Sequence, residues 1–347
     1  MKRREFIKLS AGTMAGAFTG CVAPAARNAA DKDFVWANLL HFGVNIQCDI
    51  PVTEWGKYKG EDLKLMTAAD HVRFDESVWR QITGRMVDAG MNMLVIDLEE
   101  ALYYPSHPEL AVKGTWDVER FRKELARLRS IGLEPIPKLN FSATHDIWLK
   151  DYHMMISTPK YYQVVADVIR DVVEIFDKPR FFHVGFDEES FGHQRKHSIA
   201  IVRQGDLWWH DLLFITGVVE KAGSRPWMWS DYIWHHKDEF MRRMPRSILQ
   251  SNWYYGKSFG PDAKGAPRPH VEAYDWLDKG GFDQIPTGSN WSCTENIAGT
   301  VAYAREHVSP SLLKGFLSAP WVKTLPQFLE THFEQVDEMS AELRKWK

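Results

Sequence analysis

The chain has 347 residues, 44% hydrophobic and 26% charged, with 43 Lys and Arg against 46 Asp and Glu. This composition argues against a disordered chain, and a net charge of −3 argues against a nucleic-acid partner, which would require a basic stripe. The unusual feature is aromatic, since 15 Trp accompany 11 Tyr and 19 Phe. Because indole combines a flat apolar face with one N–H donor, this richness predicts either a Trp-heavy core or a surface for a partly polar ligand.

The amino terminus carries the pattern of an export signal. Residues 3–8 read RREFIK, which resembles the twin-arginine signal, and an uncharged Gly/Ala-rich stretch follows over residues 9–20. This stretch is too short and too weakly apolar for a transmembrane helix. Residues 18–21 read FTGC and resemble a bacterial lipobox, in which Cys21 becomes the lipidated first residue. We therefore predict a signal at 1–20, a tether at 21–33, and a periplasmic or lipid-anchored domain at 34–347.

Cysteine usage limits how this exported domain is held together. After Cys21 only Cys48 and Cys293 remain, which allows one disulfide in the periplasm. Two cysteines are too few for a disulfide framework or a structural zinc site. We expect a domain that is stabilised by its core, without a metal ion or a cofactor.

From residue 34 onward, short apolar runs alternate with amphipathic stretches. Asp117 and Thr158-Pro159 are helix start signals, and the last helical pattern covers residues 325–343. The apolar runs predict eight strands, at 36–46, 92–97, 134–141, 180–186, 226–230, 247–252, 284–290 and 314–319. Eight strands that alternate with helices predict an α/β fold, a single-domain (β/α)₈ (TIM) barrel. An open doubly wound sheet is the structural alternative.

Polar and aromatic residues follow these predicted strands. In such barrels the carboxyl ends of the strands carry the chemistry, so side chains that follow them are expected to meet in one site. The residues in these positions are Asp97, Glu99, Glu100, Asn140, His145, Asp187, Glu188, Glu189, Asp231, Trp253, Tyr254, Trp291 and Trp321.

The sharpest local pattern lies at residues 181–189, which read FFHVGFDEE. An apolar strand ends in three carboxylates, and no basic side chain other than His183 lies within the stretch. Since neighbouring carboxylates repel, we expect at least one of them to have a raised pKa, as a general acid near neutral pH requires. The alternative is a helix amino terminus, where acidic residues are also favoured. The preceding strand, with its His and Gly, favours catalysis.

These residues resemble a known family. His183-x-Gly185-x-Asp187-Glu188 is similar to the H-x-G-G-D-E motif of the family 20 glycoside hydrolases, the β-N-acetylhexosaminidases. These enzymes are (β/α)₈ barrels with the motif at the end of strand four. The resemblance implies that Glu188 is the general acid/base and that Asp187 orients the substrate's acetamido group, whose oxygen attacks the anomeric carbon. This retaining, substrate-assisted route is an exception to the two-carboxylate scheme.

Other segments match the family in the same order. Residues 229–231 are similar to its W-x-E/D after strand five, and residues 252–254 to its strand-six W-Y, where the Tyr bonds the acetamido oxygen. Sugar rings pack their C–H faces on aromatic planes, so we expect an oligosaccharide or glycan substrate. The implied substrate contacts are Glu99, Asn140, His145, His183, Trp229, Asp231, Trp253, Tyr254, Trp291 and Trp321, with Trp148 and Trp234 on nearby loops.

The chain also departs from the family pattern. Lys138 stands where the family has Glu, and Asn140 where it has Asp. Phe186 replaces the second Gly of the motif. Strand one carries His41-Phe42-Gly43 and has no Arg to hold the sugar hydroxyls. These departures predict acid/base machinery of the family type with altered sugar contacts.

Three alternatives remain. A glycosidase with its own nucleophile would use Glu295 or Asp231, with the carboxyl pair about 5–5.5 Å apart for retention or about 6.5–9.5 Å apart for inversion. A metal-dependent amidohydrolase would use some of the 14 His, although strand one has no H-x-H and the chain no H-E-x-x-H. A non-catalytic surface lipoprotein would bind glycans on the same fold.

Overall fold

The computed structural model describes residues 34–56, 58–260 and 268–346. The predicted signal, the tether and Cys21 lie outside these residues. Within the described part, no helix is both long and apolar enough to cross a membrane.

Eight parallel strands form one sheet in the order β6-β5-β4-β3-β2-β1-β8-β7. Bridges from Gln250 to Gln284 and from Trp253 to Thr287 join β6 to β7, so the sheet closes on itself. The strands are β1 (Val35–His41), β2 (Met93–Asp97), β3 (Glu134–Lys138), β4 (Phe181–His183), β5 (Arg225–Trp229), β6 (Leu249–Ser251), β7 (Thr287–Gly288) and β8 (Gly315–Ser318).

Helices follow the strands around the outside. They are α1 (Glu76–Asp88), α2 (Val118–Ser130), α3 (Pro159–Ile175), α4 (Phe191–Gln194), α5 (Asp206–Ala222), α6 (Ile233–Arg243), α7 (Arg268–Lys279), α8 (Asn296–His307) and α9 (Leu329–Trp346). Short 3₁₀ helices cover Gly60–Met66, Glu99–Ala101, Pro108–Leu110, Ile147–Met155 and Pro326–Phe328. This alternation is a (β/α)₈ barrel, and the predicted fold is confirmed.

All eight predicted strands exist, but most were predicted to extend too far at their carboxyl ends. The predicted strand at 180–186 is paired only over Phe181–His183, and Phe186 then adopts a φ of +72°. The apolar pattern continues past the sheet because side chains after each strand pack over the barrel end. Apolarity marks burial, and burial continues where strand pairing stops.

The predicted helix start signals have the geometry of caps. The Asp117 carboxylate accepts a hydrogen bond from Arg120 N at 2.8 Å, and Thr158 Oγ1 accepts one from Tyr161 N at 3.3 Å. At the other end of a helix, Gly223 follows α5 with a φ of +102°, a conformation that favours glycine.

Two apolar layers hold the barrel. The interior of the barrel is filled from alternate strand positions, including Val95, Ile136, Trp227 and Trp229. The layer between strands and helices is larger and contains the Trp residues expected in the core, Trp79, Trp208 and Trp209. Trp148, predicted on a pocket loop, also lies in this outer layer. The Trp residues are therefore divided between the core and the pocket.

Neither cysteine of the described domain forms a disulfide. Cys48 is buried, Cys293 is partly exposed, and both are free thiols. The barrel is held by packing.

A buried ion cluster fastens the loop after β4 to the helical layer. The Arg203 guanidinium pairs with Glu189 and lies 3.3 Å from Asp211, with all three side chains at most 4% exposed. It also donates to Phe141 O at 2.7 Å and lies over the Phe186 ring. Arg203 is therefore the shared counter-ion of two buried carboxylates.

Replacing Arg203 by Met is expected to destabilise the protein by about 3–5 kcal/mol, because two buried carboxylates lose their cation. Urea denaturation measures the change in the free energy of unfolding. The exposed Arg122→Met serves as control and is expected to stay within about 0.5 kcal/mol of the wild type. A loss below about 1 kcal/mol for Arg203→Met would contradict the role assigned to this cluster.

Candidate active site

A cavity of about 640 Å³, here called the main cavity, lies at the carboxyl ends of the strands. Its walls combine aromatic rings with charged side chains from several strand ends, including Asn140, His145, Asp187, Glu188, Trp253 and Trp321. Polar groups converging in an apolar cleft of this size are typical of a small-ligand site.

The loop after β4 presents two carboxylates to this cavity. Gly185, Phe186 and Glu188 have φ values of +70°, +72° and +57°, so the chain turns sharply at this strand end. A Cβ on Gly185 would lie 2.0 Å from Asn140 Oδ1, so glycine is required there. Asn140 Oδ1 also accepts a hydrogen bond from Phe186 N at 3.3 Å. The loop after the neighbouring strand β3 therefore shapes the loop that holds the acidic pair.

Asp187 is buried and oriented by Asn140, whose Nδ2 donates to Asp187 Oδ1 at 2.9 Å. The hydroxyl of Ser142 donates to the Asp187 carbonyl. Both partners come from the loop after β3, the neighbouring strand. Asn140 stands where the resembled family has Asp. Its side-chain amide donates a hydrogen bond that holds the Asp187 carboxylate in position.

Glu188 lies beside Asp187, and both carboxylates face His145. His145 Nε2 is 3.2 Å from Glu188 Oε2 and 3.5 Å from Asp187 Oδ2, and His193 Nε2 is 3.6 Å from Glu188 Oε1. The backbone N–H of Glu188 donates to Asp231 Oδ2 at 2.9 Å. The structure thus brings together Asn140, His145, Asp187, Glu188 and Asp231, as the sequence predicted.

The electrostatics of this cluster differ from the expectation for Glu188. Burial would lower the pKa of His145, but Asp187 and Glu188 outweigh it and raise that pKa to about 9. Burial would likewise raise the pKa of Glu188, but the hydrogen bond and charge of His145 lower it. The sequence stretch lacked a strong cation, and the fold supplies two, His145 for the pair and Arg203 for Glu189.

Asp231, unlike Glu188, has a raised pKa. Burial is the main cause, and the charge of Asp187 adds to it. Its Oδ1 has no hydrogen-bond partner among the described residues. Asp231 lines a second cavity of about 730 Å³, which shares Glu188, His193, Trp253 and His270 with the main cavity. Glu188 therefore faces both cavities.

Aromatic side chains form much of the main cavity wall. Trp253, Trp291 and Trp321 line it as predicted, together with Trp55 and Tyr58 from the loop after β1, which the sequence reasoning missed. The position of Trp55 after a strand end was the available signal. Other predicted Trp lie elsewhere, with Trp229 in the barrel interior and Trp234 in the second cavity, stacked on His270.

Tyr254 and Tyr255 both follow β6 and line the main cavity. Tyr254 folds its ring over Gly256, where a Cβ would lie 2.2 Å from its hydroxyl. The buried Tyr255 hydroxyl donates to no described residue, and the indole N–H of Trp321 acts on it as a donor. Burial is the main cause of its raised pKa, and the charges of Asp187 and Glu188 contribute. Both tyrosines line the main cavity, but the acidic pair acts on Tyr255.

Two predicted contacts lie beneath the cavity. His183 is buried between the rings of Trp227 and Trp229, and its Nδ1 accepts from Gly185 N at 3.0 Å. Glu99 is fully buried, and its Oε1 accepts from Asn140 N at 3.2 Å. Neither lines the main cavity.

Glu295, the alternative nucleophile, is exposed and pairs with Lys257 at 2.7 Å. It does not line the main cavity. The residue lies just before α8, so its position in the chain near strand seven does not bring it to the site.

The cavity floor is basic, which the sequence reasoning did not anticipate. Lys138 and Lys323 both line it, beside His41. Lys138 Nζ contacts Asp97 Oδ1 at 2.5 Å, and His41 Nδ1 lies 3.0 Å from Asp97 Oδ2. Burial is the main cause that lowers the pKa of His41 to about 4, so this imidazole is neutral at physiological pH.

One group of described residues also has the spacing of a metal site. Ligand atoms of His145, Asp187 and Glu188 lie within 4.8 Å of one another. These side chains could hold a cation, or a proton as in the ion pair described above. If these side chains bind a cation, activity requires a metal ion, whereas if they share a proton it does not.

Comparison with known proteins yields structural matches only. The chain matches no family model and no curated protein. Among solved structures, it is similar to the GH20 exo-β-N-acetylglucosaminidase of Vibrio harveyi in complex with N-acetylglucosamine, with TM-score 0.55 and 14% identity over 89% of this chain and 57% of that one. A mutant Streptomyces plicatus β-hexosaminidase in complex with the product N-acetylglucosamine gives TM-score 0.59 and 14% identity over 90% and 65%.

Dispersin B gives TM-score 0.55 and 13% identity over 77% of this chain and 95% of that one. The chain spans less than two thirds of the length of the Vibrio and Streptomyces proteins. Similarity at this identity establishes the architecture. The described domain has the catalytic-barrel fold of the family 20 β-N-acetylhexosaminidases.

Proposed function

We propose that the protein is an exported glycoside hydrolase that cleaves glycans at N-acetylhexosamine residues by the retaining, substrate-assisted route. The observation that carries the proposal is the Asp187–Glu188 pair, held by His145 in the wall of an aromatic cavity at the end of β4. The Vibrio and Streptomyces neighbours of the same fold contain bound N-acetylglucosamine, which supports a substrate of this class.

Asp187 and Tyr255 are suited to an acetamido group. Asn140 occupies Asp187 Oδ1, which fixes the carboxylate so that it can accept the acetamido N–H. This hydrogen bond increases electron density on the acetamido oxygen, which attacks the anomeric carbon. The Tyr255 hydroxyl stays protonated and is free to donate to that oxygen. Held in this way, the acetamido group replaces an enzyme nucleophile.

Glu188 is placed to act on the leaving group. It lies between the main cavity, which would hold the N-acetylhexosamine, and the second cavity, which would hold the departing part of the glycan. At neutral pH the shared proton rests on His145, 3.2 Å from Glu188. Glu188 would take this proton and pass it to the glycosidic oxygen, and then accept one from the incoming water.

Glu188→Gln is expected to lower kcat on a 4-nitrophenyl N-acetylglucosaminide by about 10²–10⁴-fold, because the amide cannot transfer the proton. Initial-rate kinetics measure this loss, and calorimetry with the product sugar checks that binding is retained. Glu295→Gln is the matched control, an exposed carboxylate that is expected to keep wild-type kinetics.

Two outcomes would contradict this assignment. If the wild type cleaves no glycoside in a broad panel but binds glycans, the non-catalytic alternative holds. If a thiazoline analogue of N-acetylglucosamine fails to inhibit and Asp231→Asn or Glu295→Gln abolishes activity, an enzyme nucleophile replaces the substrate-assisted route.

The raised pKa of His145 predicts the alkaline limb of the pH profile. A group with a raised pKa keeps its proton at neutral pH and loses it as pH rises through the shifted value. We therefore expect kcat/KM to fall as pH rises through about 9. In His145→Gln the carboxylates must hold the proton themselves, so the limb should move about one pH unit or more toward acid. An unchanged limb in this variant would refute proton storage on His145.

A metal-dependent hydrolase is the second candidate, favoured only by the spacing of His145, Asp187 and Glu188. It predicts that a chelator abolishes activity and that a divalent cation restores it. The substrate-assisted route predicts no effect of either treatment.

Export through a twin-arginine signal, with lipidation of Cys21, belongs to the same proposal. Replacing Arg3 and Arg4 together by Lys is expected to leave an unprocessed precursor in the cytoplasm, seen by fractionation of bacterial cells. Cys21→Ala is expected to abolish labelling with a radioactive fatty acid. Normal export of the double-Lys variant would refute the twin-arginine assignment.

A further inference from the structure

Lys323 is a buried cation without a direct partner. It follows β8, is 2% exposed, and lines the floor of the main cavity. Its ammonium makes no hydrogen bond or ion pair with another residue of the described chain. Trp321, two residues earlier, also lines the cavity. The three N–H donors of Lys323 are therefore available to a ligand in this cavity.

The carboxylates near Lys323 make their direct contacts with other groups. Asp97 binds Lys138 and lies close to His41. Both oxygens of Glu100 accept from the backbone N–H of Val44, at 2.9 and 3.1 Å. Glu99 accepts from the backbone of Asn140 and lies 4.0 Å from Lys138 Nζ, and burial together with Asp97 raises its pKa. Among the described residues, no carboxylate forms a direct ion pair with Lys323.

The ammonium is nevertheless charged at neutral pH. Burial, and then the charge of Arg73, lower the pKa of Lys323 to about 8, while Asp97, Glu100 and Glu99 act to raise it. Burial of a cation without a hydrogen-bonded partner is unfavourable for folding. A side chain that destabilises the free protein while facing a ligand cavity is typical of a binding group.

The sequence departures point the same way. The resembled family has an acidic residue where this chain has Lys138, and no Arg on strand one takes part in the floor. The floor thus carries two lysines, of which Lys138 is neutralised by Asp97 and Lys323 is not. The altered sugar contacts expected from the sequence therefore include a change in the charge of the cavity floor.

We propose that Lys323 recognises an anionic group on the sugar bound in the main cavity, so that the substrate is an acidic N-acetylhexosamine carrying a carboxylate or a sulfate. The anion pairs with the Lys323 ammonium by charge-assisted hydrogen bonds. The identity of the sugar as an N-acetylhexosamine rests on the proposed function, whereas the anion site rests on Lys323 itself.

The test compares a neutral sugar with two acidic ones. Calorimetry measures the binding of N-acetylglucosamine, its 6-sulfate and the corresponding N-acetylhexosaminuronic acid, and kinetics measure cleavage of their 4-nitrophenyl glycosides. The wild type is expected to favour one acidic sugar by roughly tenfold or more in Kd and in kcat/KM. The sulfate and uronate arms identify the anion.

Lys323→Met should remove this preference, so that Kd for the acidic sugar rises by roughly tenfold or more relative to Kd for neutral N-acetylglucosamine. Its Tm is expected to stay level or rise, because a buried unpaired charge is replaced by an apolar side chain of similar length. A structural lysine would instead lower the Tm. Lys279→Met, at an exposed position on α7, is the matched control and should change neither property.

The outcomes separate this proposal from the hydrolase proposal. Cleavage of the neutral glycoside with no preference for acidic sugars overturns the anion site and leaves the hydrolase standing. Absence of cleavage, with acidic sugars that bind the wild type and not Lys323→Met, supports the anion site and overturns the hydrolase. A wild type that prefers the neutral sugar, or a Lys323→Met variant that keeps the acidic preference, overturns the proposal; the wild-type comparison decides even if the variant does not fold.

Discussion

The site depends on one ion pair, in which a single histidine serves two carboxylates that are adjacent in the chain. Asp187 and Glu188 face a largely apolar cavity, where two like charges side by side would repel strongly. His145 lies within 3.5 Å of both and carries the compensating proton. Without this cation, one carboxylate would have to protonate or turn away. The ion pair therefore fixes the geometry on which the proposed chemistry rests.

The neighbouring strand supports this pair. The loop after β3 supplies Asn140, Ser142, Thr144 and His145, and each of them contacts Asp187 or Glu188. β3 and β4 are adjacent in the barrel, so their carboxyl ends lie side by side. Arg203 then holds Glu189, the third acidic residue, away from the main cavity and in the wall of the second cavity. Three consecutive acidic residues thus have three different environments.

The cavity floor has its own charge balance, in which Asp97 serves Lys138 and Lys323 is left without a contact partner. Packing could have placed an apolar side chain at this position. A buried cation that faces a ligand cavity is more readily explained by what the cavity binds than by folding. The aromatic wall offers a surface for a sugar ring, and Lys323 adds the requirement for a negative group.

Much of the barrel was predictable because burial leaves a periodic trace in the sequence. The eight apolar runs and caps such as Asp117 follow from local rules, and the acidic pair after β4 stands out in one stretch. The failures have a common cause. Trp148 and Trp229 were predicted at the pocket but lie in the apolar layers, because side-chain direction at a strand end depends on the turn that follows.

The sequence by itself determined the barrel and placed the carboxylates at the functional end of a strand, since both are written in local order. Only the tertiary structure decided which charges meet. His145 lies 42 residues before Asp187 in the chain, and Lys323 lies 226 residues after Asp97, one of the charges acting on it. Protonation and ligand charge depend on distances of a few ångströms between strand ends, and these distances exist only once the barrel has closed.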